Sequence, residues 1–135
     1  MRRLTGYPAL LTCLLCTALA VSFLTVNRIK TRHEIGETAI LMTGGKLDRA
    51  PAIFRRYGCA GCHTIPGVPG ADGQVGPALS GLRARVYIAG TLPNNAENAR
   101  RWIVGPEQYA QGTAMPASGI SPDEARDLVA YLYTH

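Results

Sequence analysis

The chain has 135 residues and a formal net charge of +5, room for one small domain and an accessory segment. The charge is unevenly spread: residues 1–46 hold six Lys/Arg against two Asp/Glu, whereas residues 47–135 hold eight Arg against seven Asp/Glu. The basic excess flanks an apolar N-terminal run, where it reads as anchorage near lipid headgroups. The remainder carries no basic excess of the kind that marks a nucleic-acid binder.

The first element is that apolar run, from about Pro8 to Val26, which holds no charge. About 19 residues of helix are enough to cross a bilayer. Thr12, Thr17, Ser22 and Thr25 dilute it, but a hydroxyl bonds back to helix carbonyls, and Arg28, Lys30 and Arg32 end it. A cleaved signal peptide is the rival reading, since Ala18-Leu19-Ala20 has the small-x-small form of a cleavage site. Cleavage there would leave Val21, Phe23, Leu24 and Val26 on the mature terminus, so residues 1–27 read as an uncleaved anchor. Cys13 and Cys16 lie within it as two thiols on one helix face; Thr17 follows where a haem-attachment motif would place His. Arg2 and Arg3 on one side and Arg28, Lys30 and Arg32 on the other leave the positive-inside rule close to a tie.

Residues 28–46 read as a linker of mixed character. Its part from Glu34 to Met42 either extends the membrane helix or forms a separate turn. Residues 47–135 read as an all-α domain of three helices. The first runs from about Pro51 to Tyr57, with Ile53, Phe54 and Tyr57 apolar, and stops at Gly58. The second starts near Asn94, where Asn94 with Glu97 resembles a capping box, and ends before Pro106. The third runs from Ser121 to about Tyr133, with Ser121 as cap, Pro122 in the first turn and Glu124 completing an S-x-x-E box. Its Ala125, Leu128, Val129 and Leu132 share one face, expected to pack on Phe54 and a cofactor.

The chemistry lies between the first two helices. Cys59-Ala60-Gly61-Cys62-His63 is C-x-x-C-H, the attachment signature of a c-type haem. Two thiols form thioethers with the two haem vinyl groups, and the adjacent His supplies one axial ligand. Ala60 and Gly61 let the backbone lie close to the macrocycle. A bare C-x-x-C also suits zinc or dithiol redox chemistry. However, zinc would want further ligands at suitable spacing, and a thioredoxin-like site would want a βαβ context. Residues 58–81 contain seven Gly and three Pro, which argues against regular structure. So long a loop suits a compact domain only if it wraps something that serves as core, and haem does so.

Met115, in a Pro/Gly-rich loop with no helical or strand periodicity, is the candidate opposite ligand. His135 or an open sixth position are the alternatives. A thioether sulfur favours ferrous iron and raises the potential, and two protein ligands close the iron to substrates. His63 with Met115 therefore points to electron transfer, whereas an open site points to a haem enzyme or gas sensor.

These residues together resemble a class I cytochrome c: Cys59–His63, Gly76-Pro77-Ala78-Leu79-Ser80-Gly81, Met115-Pro116, and a terminal helix ending Leu128-Val129-Ala130-Tyr131-Leu132. The resemblance covers about residues 50–135 and implies a small fold around one covalent haem c. It also implies that the Pro77 carbonyl accepts a bond from His63 and so orients it. Tyr87–Asn95 and Arg101–Pro106 are similar to cytochrome c domains associated with caa3-type haem-copper oxidases. That likeness implies Trp102 near a haem propionate, with a core Trp as the compatible plain reading. The chain departs from those oxidase subunits in standing on its own helix without a copper-binding region.

In proteins bearing this motif thioethers form outside the bacterial cytoplasm. The resemblance thus places the domain in the periplasm and the anchor in the inner membrane. The function it implies is a membrane-anchored, non-enzymatic monohaem carrier in a respiratory chain. It would pass single electrons from a quinol-oxidising complex to a terminal oxidase. A permanent subunit of a respiratory complex is the alternative.

Overall fold

A computed structural model describes residues 7–135; Arg2 and Arg3, the basic residues before the expected anchor, lie outside the described residues. The chain forms two compact units, dividing between Glu34 and Ile35.

Helix α1 spans Tyr7–Thr43. It is long and apolar enough, by length and composition, to cross a membrane. Three of the four diluting hydroxyls bond within the helix: Thr12 Oγ1 donates to Pro8 O at 3.0 Å, Thr17 Oγ1 to Leu14 O at 2.9 Å and Thr25 Oγ1 to Val21 O at 2.7 Å. The linker expected over residues 28–46 is helical as far as Thr43, so of the two alternatives for Glu34 to Met42 the helix continues. The reason is local: no Pro and a single Gly, Gly36, lie between residues 28 and 43, and the ladder ends only at Gly44, whose φ is +69°.

The second unit, Ile35–His135, is mostly helical. After a 3₁₀ turn at Leu47–Arg49, α2 spans Ala50–Arg56 and buries Ala50, Ile53 and Phe54. A single helical turn, α3, covers Cys59–Cys62. Strands β1 (Tyr87–Ile88) and β2 (Leu92–Pro93) pair antiparallel, a hairpin outside the all-helical expectation. Its three-residue loop, Ala89–Thr91, places Ala89 and Gly90 both at positive φ, and Thr91 N donates back to Ile88 O at 3.0 Å. Helix α4 spans Ala96–Val104 and α5 spans Pro122–Leu132.

Helix α5 is the centre of the unit and packs on α2, on α4 and on the 3₁₀ turn. Ala125, Leu128, Val129 and Leu132 are buried as their spacing predicts, and the Tyr131 ring meets Phe54 edge-on at 5.6 Å. The cap is as read: Ser121 Oγ accepts from Glu124 N at 3.2 Å. The start of α4 is one residue later than expected. Asn95 is the cap, its Oδ1 accepting from Asn98 N at 2.8 Å, because the Asn94 amide is bound by carbonyls elsewhere. Gly45 lies so close to α5 that a Cβ there would stand 2.5 Å from Arg126 O. Beside it, the buried Asp127 accepts from Lys46 N at 2.8 Å through Oδ1. Arg49 Nη1 stands 3.3 Å from Asp127 Oδ2, close enough for an ion pair but not aligned as a hydrogen bond, so Oδ2 has charge compensation without a donor.

Candidate functional site

Helix α2 ends at Tyr57, and Gly58 takes φ +69° to redirect the chain into α3. Cys59 and Cys62 stand three apart on this one turn, hence on the same side of it. Cys59 is half-buried and Cys62 exposed, and burial pushes the Cys59 thiol above its ordinary pKa. His63 leaves the helix in extended conformation (φ −120°, ψ 142°), which swings its ring clear of the turn.

The ring is then held from below. His63 Nδ1 lies 2.7 Å from Pro77 O, so Nδ1 carries the proton toward the carbonyl and Nε2 is the nitrogen left to a metal. The carbonyl is carried by a loop stitched to the Cys motif: Gly76 N donates to Cys62 O at 2.7 Å, Gly73 N to Ala60 O at 3.2 Å and Leu79 N to Thr64 O at 2.9 Å. A Thr64–Asp72 bridge closes the intervening segment. Thus the loop over residues 58–81, expected to lack regular structure, contains one helical turn and one bridge and is otherwise irregular.

Gly76, read in the sequence only as the residue before Pro77 in its motif, has a role of its own. A Cβ there would stand 2.3 Å from His63 Cε1 and 2.9 Å from Nε2, so the imidazole lies flat against bare backbone. Arg85 was not singled out. Its guanidinium donates to Ala78 O and, at 3.1 Å, to Ser80 O, gripping the loop from the other side. Neither contact has a local signal, since each bridges parts of the chain that only the fold brings together.

Met115 is half-buried and packs against the core, in the irregular segment before α5, with its amide 3.3 Å from Thr113 Oγ1. His135, the alternative ligand, is engaged elsewhere: its ring stacks on Tyr131 at 4.3 Å, and Nδ1 lies 3.0 Å from Tyr131 O. Trp102 is buried in the core. No group of three or more His, Cys, Asp or Glu able to hold a metal ion occurs among the described residues, so Cys59, Cys62 and His63 lack the further ligands of a zinc site. Two thiols on one turn and a fixed imidazole with free Nε2 fit a covalently attached haem.

Residues 47–135 match the family described as cytochrome c. The chain is 40% identical over 81 residues to cytochrome c oxidase subunit 2 of Alkalihalophilus pseudofirmus, covering 59% of this chain and 23% of that protein. It is 29% identical over 108 residues to cytochrome c of Theileria parva, covering 71% of this chain and 91% of that one. The chain therefore spans about a quarter of the length of the oxidase subunit. No solved structure matches.

Proposed function

Because this chain belongs to the cytochrome c family and is an electron-transfer haem protein, we propose that it is a membrane-anchored monohaem carrier passing single electrons to a terminal oxidase. The observation that carries the reading is His63, placed directly after Cys62 and fixed through Nδ1 by Pro77 O at 2.7 Å. That contact leaves Nε2 for the iron. When bound, haem c supplies a one-electron iron couple held between fixed ligands.

The residues divide the work. Cys59 and Cys62 hold the group covalently. His63, its tautomer and ring angle fixed by Pro77, and Met115 would hold the iron, and with both in place the iron would be closed to small ligands. Trp102 donates its indole N–H to a propionate. Helix α1 anchors the chain, with the haem domain in the periplasm of a bacterial inner membrane and a quinol-oxidising complex as donor. Anchorage raises the effective concentration of the carrier at its membrane partners.

The likeness to an oxidase subunit favours a second reading, a permanent place in a respiratory complex. Mild detergent extraction from native membranes, followed by sizing, separates the two. A carrier elutes alone, and a subunit co-elutes with oxidase activity. Ferric protein with Met115 ligated shows the weak red absorption band of sulfur bound to iron, and the reduced protein binds carbon monoxide poorly. Lack of the band with rapid carbon monoxide binding would overturn the ligand assignment.

A further inference from the structure

The loop that carries Pro77 is tied in turn to residues far from His63. Arg85 grips the outer side of the loop bearing Pro77, but an arginine side chain has many rotamers, and its grip is only as firm as the turn that carries it. Asn94 fixes that turn. Its Nδ2 donates to Leu82 O at 2.6 Å and to Arg85 O at 2.8 Å, and its backbone N–H donates to Val86 O at 2.9 Å. Its Oδ1 accepts from Tyr133 Oη at 2.8 Å. A hydroxyl donor on one side and two carbonyls on the other allow the amide one orientation. Tyr133 is itself 4% exposed at the end of α5. The contacts form an unbroken series: Tyr133, Asn94, the Leu82–Arg85 turn, the Arg85 guanidinium, the Ala78 and Ser80 carbonyls, then Pro77 and His63.

We propose that Asn94 and Tyr133 are positioning residues for His63, setting through Arg85 where Pro77 O meets the Nδ1 proton and thereby helping to set the reduction potential. This rests on the haem reading above. A carbonyl that accepts from Nδ1–H makes the imidazole a stronger donor to the iron and favours the oxidised state. Loosening that acceptor favours the reduced state.

Tyr133→Phe removes one hydroxyl and keeps the ring. In the holoprotein it should shift the redox equilibrium about threefold toward the reduced form, about 30 mV at 59 mV per tenfold. It should also speed solvent exchange of the His63 Nδ1 proton, followed by NMR in the reduced state. Asn94→Ala should move both further in the same direction, and adding Tyr133→Phe to it should add nothing. A lowered melting temperature with unchanged potential and exchange would show a purely structural role and overturn the proposal, as would additive shifts in the double variant. If Asn94→Ala does not fold, Tyr133→Phe alone decides. Failure of the haem reading is separate: the unsubstituted protein would lack a covalently bound chromophore.

Discussion

Gly76→Ala tests the site most directly. The backbone accepts alanine, because Gly76 is not among the glycines at positive φ, so the cost is steric alone. The added methyl would stand 2.3 Å from His63 Cε1 and 2.7 Å from Nδ1, whereas carbon atoms rest at about 3.5–4.0 Å. The ring must therefore retreat by more than about 1 Å, which stretches the 2.7 Å contact to Pro77 O beyond hydrogen-bond range. Overpacking costs about 1–3 kcal/mol, and a lost hydrogen bond about 0.5–1.5 kcal/mol. The expected loss is about 2–4 kcal/mol, a large part of the stability of a small domain. The assay is guanidinium unfolding of the haem-loaded protein, with the yield of covalent haem in the same preparation. Gly76→Ala protein carrying full haem and losing less than about 0.5 kcal/mol would refute the argument that His63 is seated on bare backbone.

Asp127→Ala removes the acceptor of Lys46 N and the counter-charge of Arg49; a loss of about 1.5–3 kcal/mol is expected in urea unfolding. Gly45→Ala forces α5 backbone rather than a flexible side chain to give way, and should lower the same midpoint by about 1–3 kcal/mol. Glu124 is held below the ordinary glutamate range first by the Tyr57 hydroxyl, 2.8 Å from Oε2. A depressed carboxylate stabilises the fold above its unfolded pKa, and that contribution is lost as pH falls through the folded value. Tyr57→Phe should therefore flatten the acid limb of stability against pH while leaving its shape near neutrality, and should also remove the alkaline loss due to the raised Tyr57 hydroxyl. The Glu97 carboxyl, pushed down to about 2 chiefly by its bond to Arg100, should act in the same sense at lower pH, so Glu97→Gln should flatten the most acidic part of the curve.

The parts of this protein legible in its sequence are those encoded by neighbours. Cys59, Cys62 and His63 are adjacent, and the box Ser121–Glu124 with the buried stripe of α5 repeats at helical spacing. Where two local solutions compete, the sequence is ambiguous. Asn94 and Asn95 are both cap residues, and Asn95 caps α4 only because Leu82 and Arg85 carbonyls, distant in sequence, engage the Asn94 amide. Residues 28–43 lacked a cofactor motif or a strong apolar pattern, yet little there breaks a helix. The contacts of Gly76, known from the sequence only as a motif residue, and of Arg85, not named at all, exist only once the loop has folded back on His63.

The arginines of the haem domain have a collective consequence. Arg49, Arg56, Arg100, Arg101 and Arg126 each lie within an ion pair of the domain's own carboxylates, and Arg85 spends its guanidinium on carbonyls. The outward field is therefore short in range, and long-distance steering of a partner, the usual route to fast encounter between diffusing redox proteins, has little to work with. With α1 as the proposed anchor, collision frequency would come instead from confinement to the plane of a membrane, and electron exchange should be nearly indifferent to salt.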